Sequence, residues 1–328
     1  MELIGHVNTK QQLAVASSAA KTLNKALPHM MFAGHAGCGK TSMAKYVASQ
    51  RGANFLQVSP KTLKDTSSVL RVLEELDHKG YDRRGNRKKQ ISPSVLFIDE
   101  VHGINLDAQE VLGIAMEEFK VPAGNKGLCY WIPYFTVVGA TTMEGQLSTP
   151  FIDRFKLKFI FEPYSFEESV DIVLLHAYNM SITITAKAAR NVARRGRGVP
   201  RILVRYLERL RDMVYSQGGG IITDIVAEKT FTMLGIDKEG LNKVELKILR
   251  ILFDAEAPIG LDNLAIVTGE STKTLKSTVE PFLIQRGLML RSGKGRVITK
   301  KGRQYLQEEG YAGDVRKKVE IPLNYVRN

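Results

Sequence analysis

Three short runs along the chain are almost wholly apolar. They are His29-Met30-Met31-Phe32-Ala33, Val95-Leu96-Phe97-Ile98 and Phe135-Thr136-Val137-Val138-Gly139-Ala140. Continuous runs of this length, without polar alternation, predict strands buried on both faces, as in a parallel sheet. After the first run the spacing changes: Ser42-Met43-Ala44-Lys45-Tyr46-Val47-Ala48 has the period of a helix. From residue 166 to about 238 strand signals disappear and helical spacing takes over. Ser165 followed by Glu168 predicts a capping box. Pro200 predicts a helix start that puts Arg201 in its first turn, and Gly218-Gly219-Gly220 ends that helix.

Beyond Leu241 the pattern changes again. Val244, Leu246, Ile248, Leu249, Ile251 and Leu252 mark one helix, Leu261-Asp262-Asn263-Leu264-Ala265 begins another, and Ser271 to Lys276 leads into a third. Gly287 to Arg291 and Arg296 to Thr299, joined by Ser292-Gly293-Lys294-Gly295, predict a hairpin with a basic glycine turn. Three helices and a hairpin predict a winged helix, which is related to the helix-turn-helix. The fold class expected is therefore α/β, built from a large domain with a parallel sheet (1–165), a helical lid (166–238), a winged-helix domain (239–309) and an extension (310–328).

Composition narrows the function classes. The chain of 328 residues carries a net charge of +13. From Arg190 to Arg211 there are eight arginines and one acid, Glu208; from Arg286 to Arg303 there are seven basic residues and no acid. Clusters of this kind neutralise phosphates and point to a nucleic-acid partner. A further basic segment, Lys79 to Lys89, precedes the second apolar run and reads as a solvated loop. No apolar run approaches the roughly 20 residues that span a bilayer, and no signal peptide opens the chain. Two cysteines, Cys38 and Cys129, are too few for a disulfide framework, so a cytoplasmic location is expected. The histidines and cysteines show no metal-ligand spacing.

The chemistry follows the first apolar run. Gly34-His35-Ala36-Gly37-Cys38-Gly39-Lys40-Thr41 has the G-x-x-x-x-G-K-T spacing between a strand and a helix, the context of a P-loop. Gly37 and Gly39 let main-chain N–H groups wrap the phosphates of ATP, and the helix N-terminus favours their charge. Lys40 reaches the outer phosphates and the Thr41 hydroxyl ligates Mg²⁺. Asp99 and Glu100 end the second run, where Asp99 suits the Mg²⁺ shell and Glu100 the polarisation of water. Thr141 and Thr142 end the third run, and Arg154 lies in Thr149-Pro150-Phe151-Ile152-Asp153-Arg154-Phe155, where it suits a surface ion pair or, as the order of the segments favours, an arginine finger.

These segments occur in the order of AAA+ ATPases, and in detail the chain resembles the RuvB family of Holliday-junction branch-migration motors. The likeness runs over almost the whole chain, through Leu3-Ile4-Gly5-His6, Ala115-Met116-Glu117-Glu118-Phe119, Gly198-Val199-Pro200-Arg201-Ile202, Gly260 to Leu264 and Glu280-Pro281-Phe282-Leu283-Ile284-Gln285-Arg286-Gly287. The resemblance implies phosphate and Mg²⁺ binding by Lys40, Thr41 and Ser42, a Walker B pair of Asp99 and Glu100, and Thr142 as sensor 1 with Thr141 as the fallback. It implies Arg154 as a finger acting on a neighbouring subunit and Arg201 as sensor 2. Ile4, Glu117, Glu118, Phe119 and Tyr164 fall on the nucleotide side. On the wing, Arg291 and Arg296 match DNA-contacting positions, with Lys294 at the turn and Lys273 beside a position where the family carries arginine.

The resemblance further implies ATP with Mg²⁺, duplex and four-way junction DNA as partner, a hexameric ring, and a RuvA-like protein docked through Val121 to Trp131. That last segment is shortened and altered here, the residues before Leu3 are almost absent, and Arg154 lacks the second arginine of its motif. These departures suit a divergent or phage-borne relative. Two other readings stay open: a clamp-loader-like AAA+ protein that remodels DNA without moving junctions, and a nucleotide-switched DNA-binding regulator with little turnover.

Overall fold

The computed structural model describes residues 3–23, 25–78, 94–123, 128–132 and 134–313; the basic segment 79–89 and the tail from 314 lie outside them. In chain order the first elements are α1 (Val7–Thr22), β1 (Met30–Gly34), α2 (Lys40–Arg51), β2 (Asn54–Val58), α3 (Thr66–His78), β3 (Ser94–Ile98) and α4 (Leu106–Glu118). Next come β4 (Lys120–Ala123), β5 (Leu128–Trp131), β6 (Phe135–Thr141), α5 (Thr149–Ile152), β7 (Leu157–Phe161), α6 (Phe166–Asn179), α7 (Ala186–Arg195) and α8 (Pro200–Ser216). The chain falls into two compact units, Met1–Thr223 and Asp224–Asn328. That division lies inside the segment 166–238 expected to form the lid.

In the first unit the three apolar runs form the middle of a five-stranded parallel sheet, in the order β2-β3-β6-β1-β7. Every residue of β3 and β6 is buried, as the unbroken apolar runs require. Side chains still alternate between faces. Met31, Leu96, Ile98 and Val137 join one core with α3 and α4, whereas Met30, Phe32, Val95, Phe97 and Val138 join another with α1 and α2. Burying one such side chain stabilises the fold by about 1.5–3 kcal/mol, so the central strands are the best-anchored elements of this unit. Helices α6, α7 and α8 pack on one another. The expected capping box of Ser165 and Glu168 is present, and Pro200 opens α8.

The second unit contains α9 (Asp224–Leu234), α10 (Lys243–Asp254), α11 (Leu261–Thr268), α12 (Thr272–Thr274), a π-helical turn (Leu275–Val279), α13 (Glu280–Gln285), β8 (Met289–Ser292), β9 (Gly295–Ile298) and α14 (Lys300–Glu308). Its core gathers Leu249, Leu264, Leu275, Leu283, Met289 and Leu306. This is the winged helix read from the sequence, with α14 as an addition. The π turn has a local cause. Pro281 has no N–H to donate and its ring crowds the carbonyl one turn back, so the helix widens just before it.

One buried polar residue ties the first unit together. His29 is 7% exposed and precedes β1. Its Nδ1 accepts the Val137 N–H at 2.8 Å, so its Nε2–H donates to the Met116 carbonyl at 2.8 Å. The ring thus joins the end of α4 to the start of β6. Burial is the main cause that pushes its pKa down to about 4. The unfolded chain takes up this proton near pH 6.5, so stability is full above that pH and is lost as pH falls towards 4; the loss reaches about 3 kcal/mol. Urea unfolding midpoints near pH 7 and near pH 4.5 test this. His29→Asn is expected to lower stability at neutral pH and to show a smaller further drop in acid than the parent; an equal drop refutes the assignment.

Candidate active site

Parallel pairing places the C-terminal ends of β3, β6 and β1 side by side, with Ile98 opposite Gly139 and Ala33 opposite Thr141. The loops that leave these ends therefore converge, which is where ligands bind in open α/β sheets. The first is the phosphate loop. Its glycines are required by close approach as well as by backbone angle. A Cβ on Gly34 would lie 2.3 Å from the Phe161 carbonyl oxygen, one on Gly37 3.0 Å from both Arg201 and Val199, and one on Gly39 2.9 Å from the Tyr164 hydroxyl. Gly37 and Gly39 have φ of 84° and 90°, angles that side chains disfavour.

Lys40 begins α2, two residues before the helix expected from the sequence. It is 6% exposed, and its ammonium donates to the carbonyls of Gly34 (2.7 Å) and His35 (2.9 Å). Burial lowers its pKa; the charges of Glu100 and Asp99 oppose that and Arg201 adds to it. Lys40, Asp99, Glu100 and Arg201 thus share one electrostatic environment. Thr41 and Ser42 follow in the first turn of α2, both half-buried.

Glu100 leaves β3 with φ 51°, in the left-handed region, and opens a tight turn over Val101–Gly103. Its Oε2 accepts the Thr142 hydroxyl at 2.9 Å and lies 3.3 Å from His102 Nδ1. The same Nδ1 is 3.0 Å from the Thr141 hydroxyl, which also accepts the Met143 N–H at 2.9 Å. The two threonines are therefore distinguished. Thr141 is fully buried and serves the turn, while Thr142 is exposed and reaches Glu100. The sequence reading missed His102; a histidine in the turn just after an acidic strand end was the available signal.

Tyr164 closes another side. Its N–H donates to the Gly198 carbonyl at 2.8 Å, and a Cβ on Gly198 would lie 2.4 Å from the Tyr164 carbonyl oxygen. This contact seats the loop before Pro200, so the first turn of α8 brings Arg201 against Gly37. Burial, then Glu168, raises the Tyr164 phenol. The His6 ring packs on Phe161 and Tyr164 at centroid distances of 4.7 and 4.6 Å. Its Nε2 is buried without a hydrogen-bond partner among the described residues, and burial lowers its pKa. Ile4, two residues earlier, is half-buried.

Arg154 belongs to a second cluster. It lies across α4, where a Cβ on Gly113 would be 2.9 Å from its Nε, and its Nη2 is 3.5 Å from Glu117. Among the described residues the Nε is buried without a hydrogen-bond partner. Glu117, expected on the nucleotide side, joins Arg154; Glu118 pairs with Lys120 at 2.8 Å, and Phe119 packs edge-on against Tyr134 and Phe135. In the second unit Lys273 and Lys294 are exposed, and Arg291 and Arg296 stand opposite each other on β8 and β9. Among the described residues no group of three or more His, Cys, Asp or Glu is gathered to hold a metal by itself. A P-loop Mg²⁺ site needs fewer protein ligands, because substrate phosphates and water complete the shell.

Comparison with known proteins follows this arrangement. Residues 1–160 match the family model for the Holliday junction DNA helicase RuvB P-loop domain, 164–237 the RuvB AAA lid domain, and 238–307 the RuvB C-terminal winged helix domain. The chain is 37% identical over 311 residues to the Holliday junction branch migration complex subunit RuvB of Wolbachia sp. subsp. Drosophila simulans, covering 93% of this chain and 92% of that one. It is 35% identical over 316 residues to the subunit of the same name from Streptococcus pneumoniae, covering 94% and 91%. Among solved structures, the Thermotoga maritima RuvB Holliday junction branch migration motor superposes with a TM-score of 0.74 at 34% identity, covering 93% of this chain and 95% of that one.

Gly37→Ala tests the close approach of α8. A side chain there is expected to destabilise the fold by about 1–2 kcal/mol through backbone strain. It is also expected to weaken binding of a fluorescent ATP analogue at least about tenfold, or roughly 1.4 kcal/mol. Unchanged binding in a folded variant contradicts the packing of Arg201 against the loop.

Proposed function

This chain belongs to the RuvB family of AAA+ ATPases, and we propose that it is an ATP-hydrolysing motor that drives branch migration at four-way DNA junctions. The observation that carries the reading is the Thr142–Glu100 hydrogen bond beside Lys40, at the joined ends of β1, β3 and β6. A phosphate-binding loop, a carboxylate able to take a proton from water and a hydroxyl that orients it form a hydrolytic set.

The residues fit ATP and Mg²⁺. The loop glycines sit where no Cβ has room, and the Lys40 ammonium rests on main-chain carbonyls from which it can turn to phosphate oxygens. Thr41 and Asp99 would hold the metal, which neutralises phosphate charge and orients the outer phosphates. In hydrolysis Glu100 takes a proton from the attacking water as its oxygen bonds to the γ-phosphorus, and the bond to ADP breaks. Thr142 keeps Glu100 in place, and Arg201 couples α8 to the state of the phosphate loop. Arg154, grouped with Glu117 at the end of α4, serves the site of an adjacent copy in a hexameric ring. The division into large domain (1–165), lid (166–238) and winged helix (239–309) follows this reading. So does the grip on the DNA backbone by Arg291, Arg296, Lys294 and Lys273, which is blind to sequence as a motor requires. Among the described residues no helix is long and apolar enough to cross a membrane; a cytoplasmic protein working with a RuvA-like partner fits the family.

Glu100→Gln is expected to bind ATP normally and to lose turnover by about 100-fold or more. Arg154→Ala is expected to be equally inactive. Mixing the two variants is expected to restore part of the ATPase activity, because Arg154 of one copy then faces Glu100 of another. Without recovery, Arg154 does not act across subunits. A synthetic four-way junction that stays unresolved with the parent protein, ATP and Mg²⁺, with or without a RuvA-type protein, removes the motor reading itself.

A further inference from the structure

Glu100 is the base of the proposed reaction, yet little in its own stretch of chain holds its carboxylate. The side chain is 44% exposed, and the residue leaves β3 in a left-handed conformation. A long side chain so placed has several rotamers open to it, and a misplacement of about 1 Å at a reacting group can cost about 100-fold in rate. What fixes it lies in the turn that follows. The Gly103 N–H donates to the Glu100 carbonyl at 2.8 Å. Val101 is wholly buried, and a Cβ on Gly139 of β6 would lie 3.3 Å from its Cγ1. A Cβ on Gly103 would lie 3.0 Å from Pro60. The turn is thus held against β6 and against Pro60, and it carries His102 with a side chain only 14% exposed.

The hydrogen bonds around the ring set its state. The Thr141 hydroxyl is fully buried and its oxygen already accepts the Met143 N–H at 2.9 Å, so its own hydrogen needs an acceptor. His102 Nδ1, at 3.0 Å, is that acceptor among the described residues. The ring proton of the neutral histidine then sits on Nε2, and Nδ1 carries a lone pair. Glu100 Oε2 lies 3.3 Å from the same nitrogen and accepts the Thr142 hydroxyl at 2.9 Å. Like partial charges keep Oε2 off the ring, and Thr142 draws it to the other side. Both effects act on one oxygen. Oε1 has no hydrogen-bond partner among the described residues and is left to the attacking water.

We propose that His102 is a positioning residue for the base: wedged between the end of β6 and Glu100, it confines Oε2 to the Thr142 side and so reserves Oε1 for the proton of water. This rests on the reading of Glu100 as that base. It also gives the buried Thr141 a task outside the hydrolytic set, since its hydroxyl decides which ring nitrogen carries the proton.

The test is steady-state ATP hydrolysis by the full-length protein, with affinity for a fluorescent ADP analogue measured alongside. His102→Asn places an amide oxygen where Nδ1 stands, His102→Gln places one where Nε2 stands, and His102→Ala removes both. The Ala and Gln variants are expected to lose kcat by about tenfold or more, with KM and analogue affinity within about twofold of the parent. The Asn variant is expected to regain most of the loss. In a Glu100→Gln background the loss from His102→Ala is expected to vanish, because the ring acts through that carboxylate. Parental kcat in the Gln variant overturns the proposal. So does a loss shared equally by Asn and Gln, a full loss repeated in the Glu100→Gln background, or a loss matched by weaker nucleotide binding, which marks a fault in the fold. The comparison of Asn with Gln decides even where Ala fails to fold. Parent and Glu100→Gln proteins that hydrolyse ATP at the same rate overturn the reading of Glu100 itself, and the role of His102 falls with it.

Discussion

The first unit rests on a close approach between two strand ends. Gly34 ends β1 with so little space that a Cβ would lie 2.3 Å from the main chain of Phe161 in β7. Only a residue without a side chain lets β1 run its full length against that neighbour and then turn into the phosphate loop. The position of Lys40 and the start of α2 follow from that turn. On the other flank β6 pairs with β1 and with β3, so Asp99, Glu100 and Thr142 are delivered to the same edge. The sheet is hydrophobic in its stability and polar at this one edge, where the chain leaves it.

Sequence patterning revealed the parts whose information is local. The strands at the centre of the sheet were legible because burial on both faces demands apolar residues at every position. The phosphate loop and the acidic strand end were legible because their spacing is short. The capping box at Ser165 and the proline start of α8 lie within four residues of what they specify. The wing hairpin was legible from its glycine turn.

What stayed hidden depends on distant partners. His29 bonds to residues 87 and 108 positions away, and nothing around it in the chain signals that. His102 bonds across 39 positions to Thr141. The pairing of buried Glu280 with Arg291 and Arg296 could not be read from its motif, because both cations lie on strands that follow in the chain. Glu117 was expected beside nucleotide on resemblance alone, and its observed partner, Arg154, depends on how α4 packs on the segment after α5. The π turn was implicit in Pro281, yet a proline in a helical pattern equally suits a break or a kink.

Between α8 and Ile222 the chain passes through Gly218, Gly219 and Gly220, all with positive φ and none with an atom near enough to meet a Cβ. Ile222 is then fully buried and bonds to the segment just before α7. Such a run tolerates cutting and lengthening far better than its surroundings. It is the natural place to nick the chain with a protease, or to splice in a fluorescent reporter, while the packing on either side stays intact.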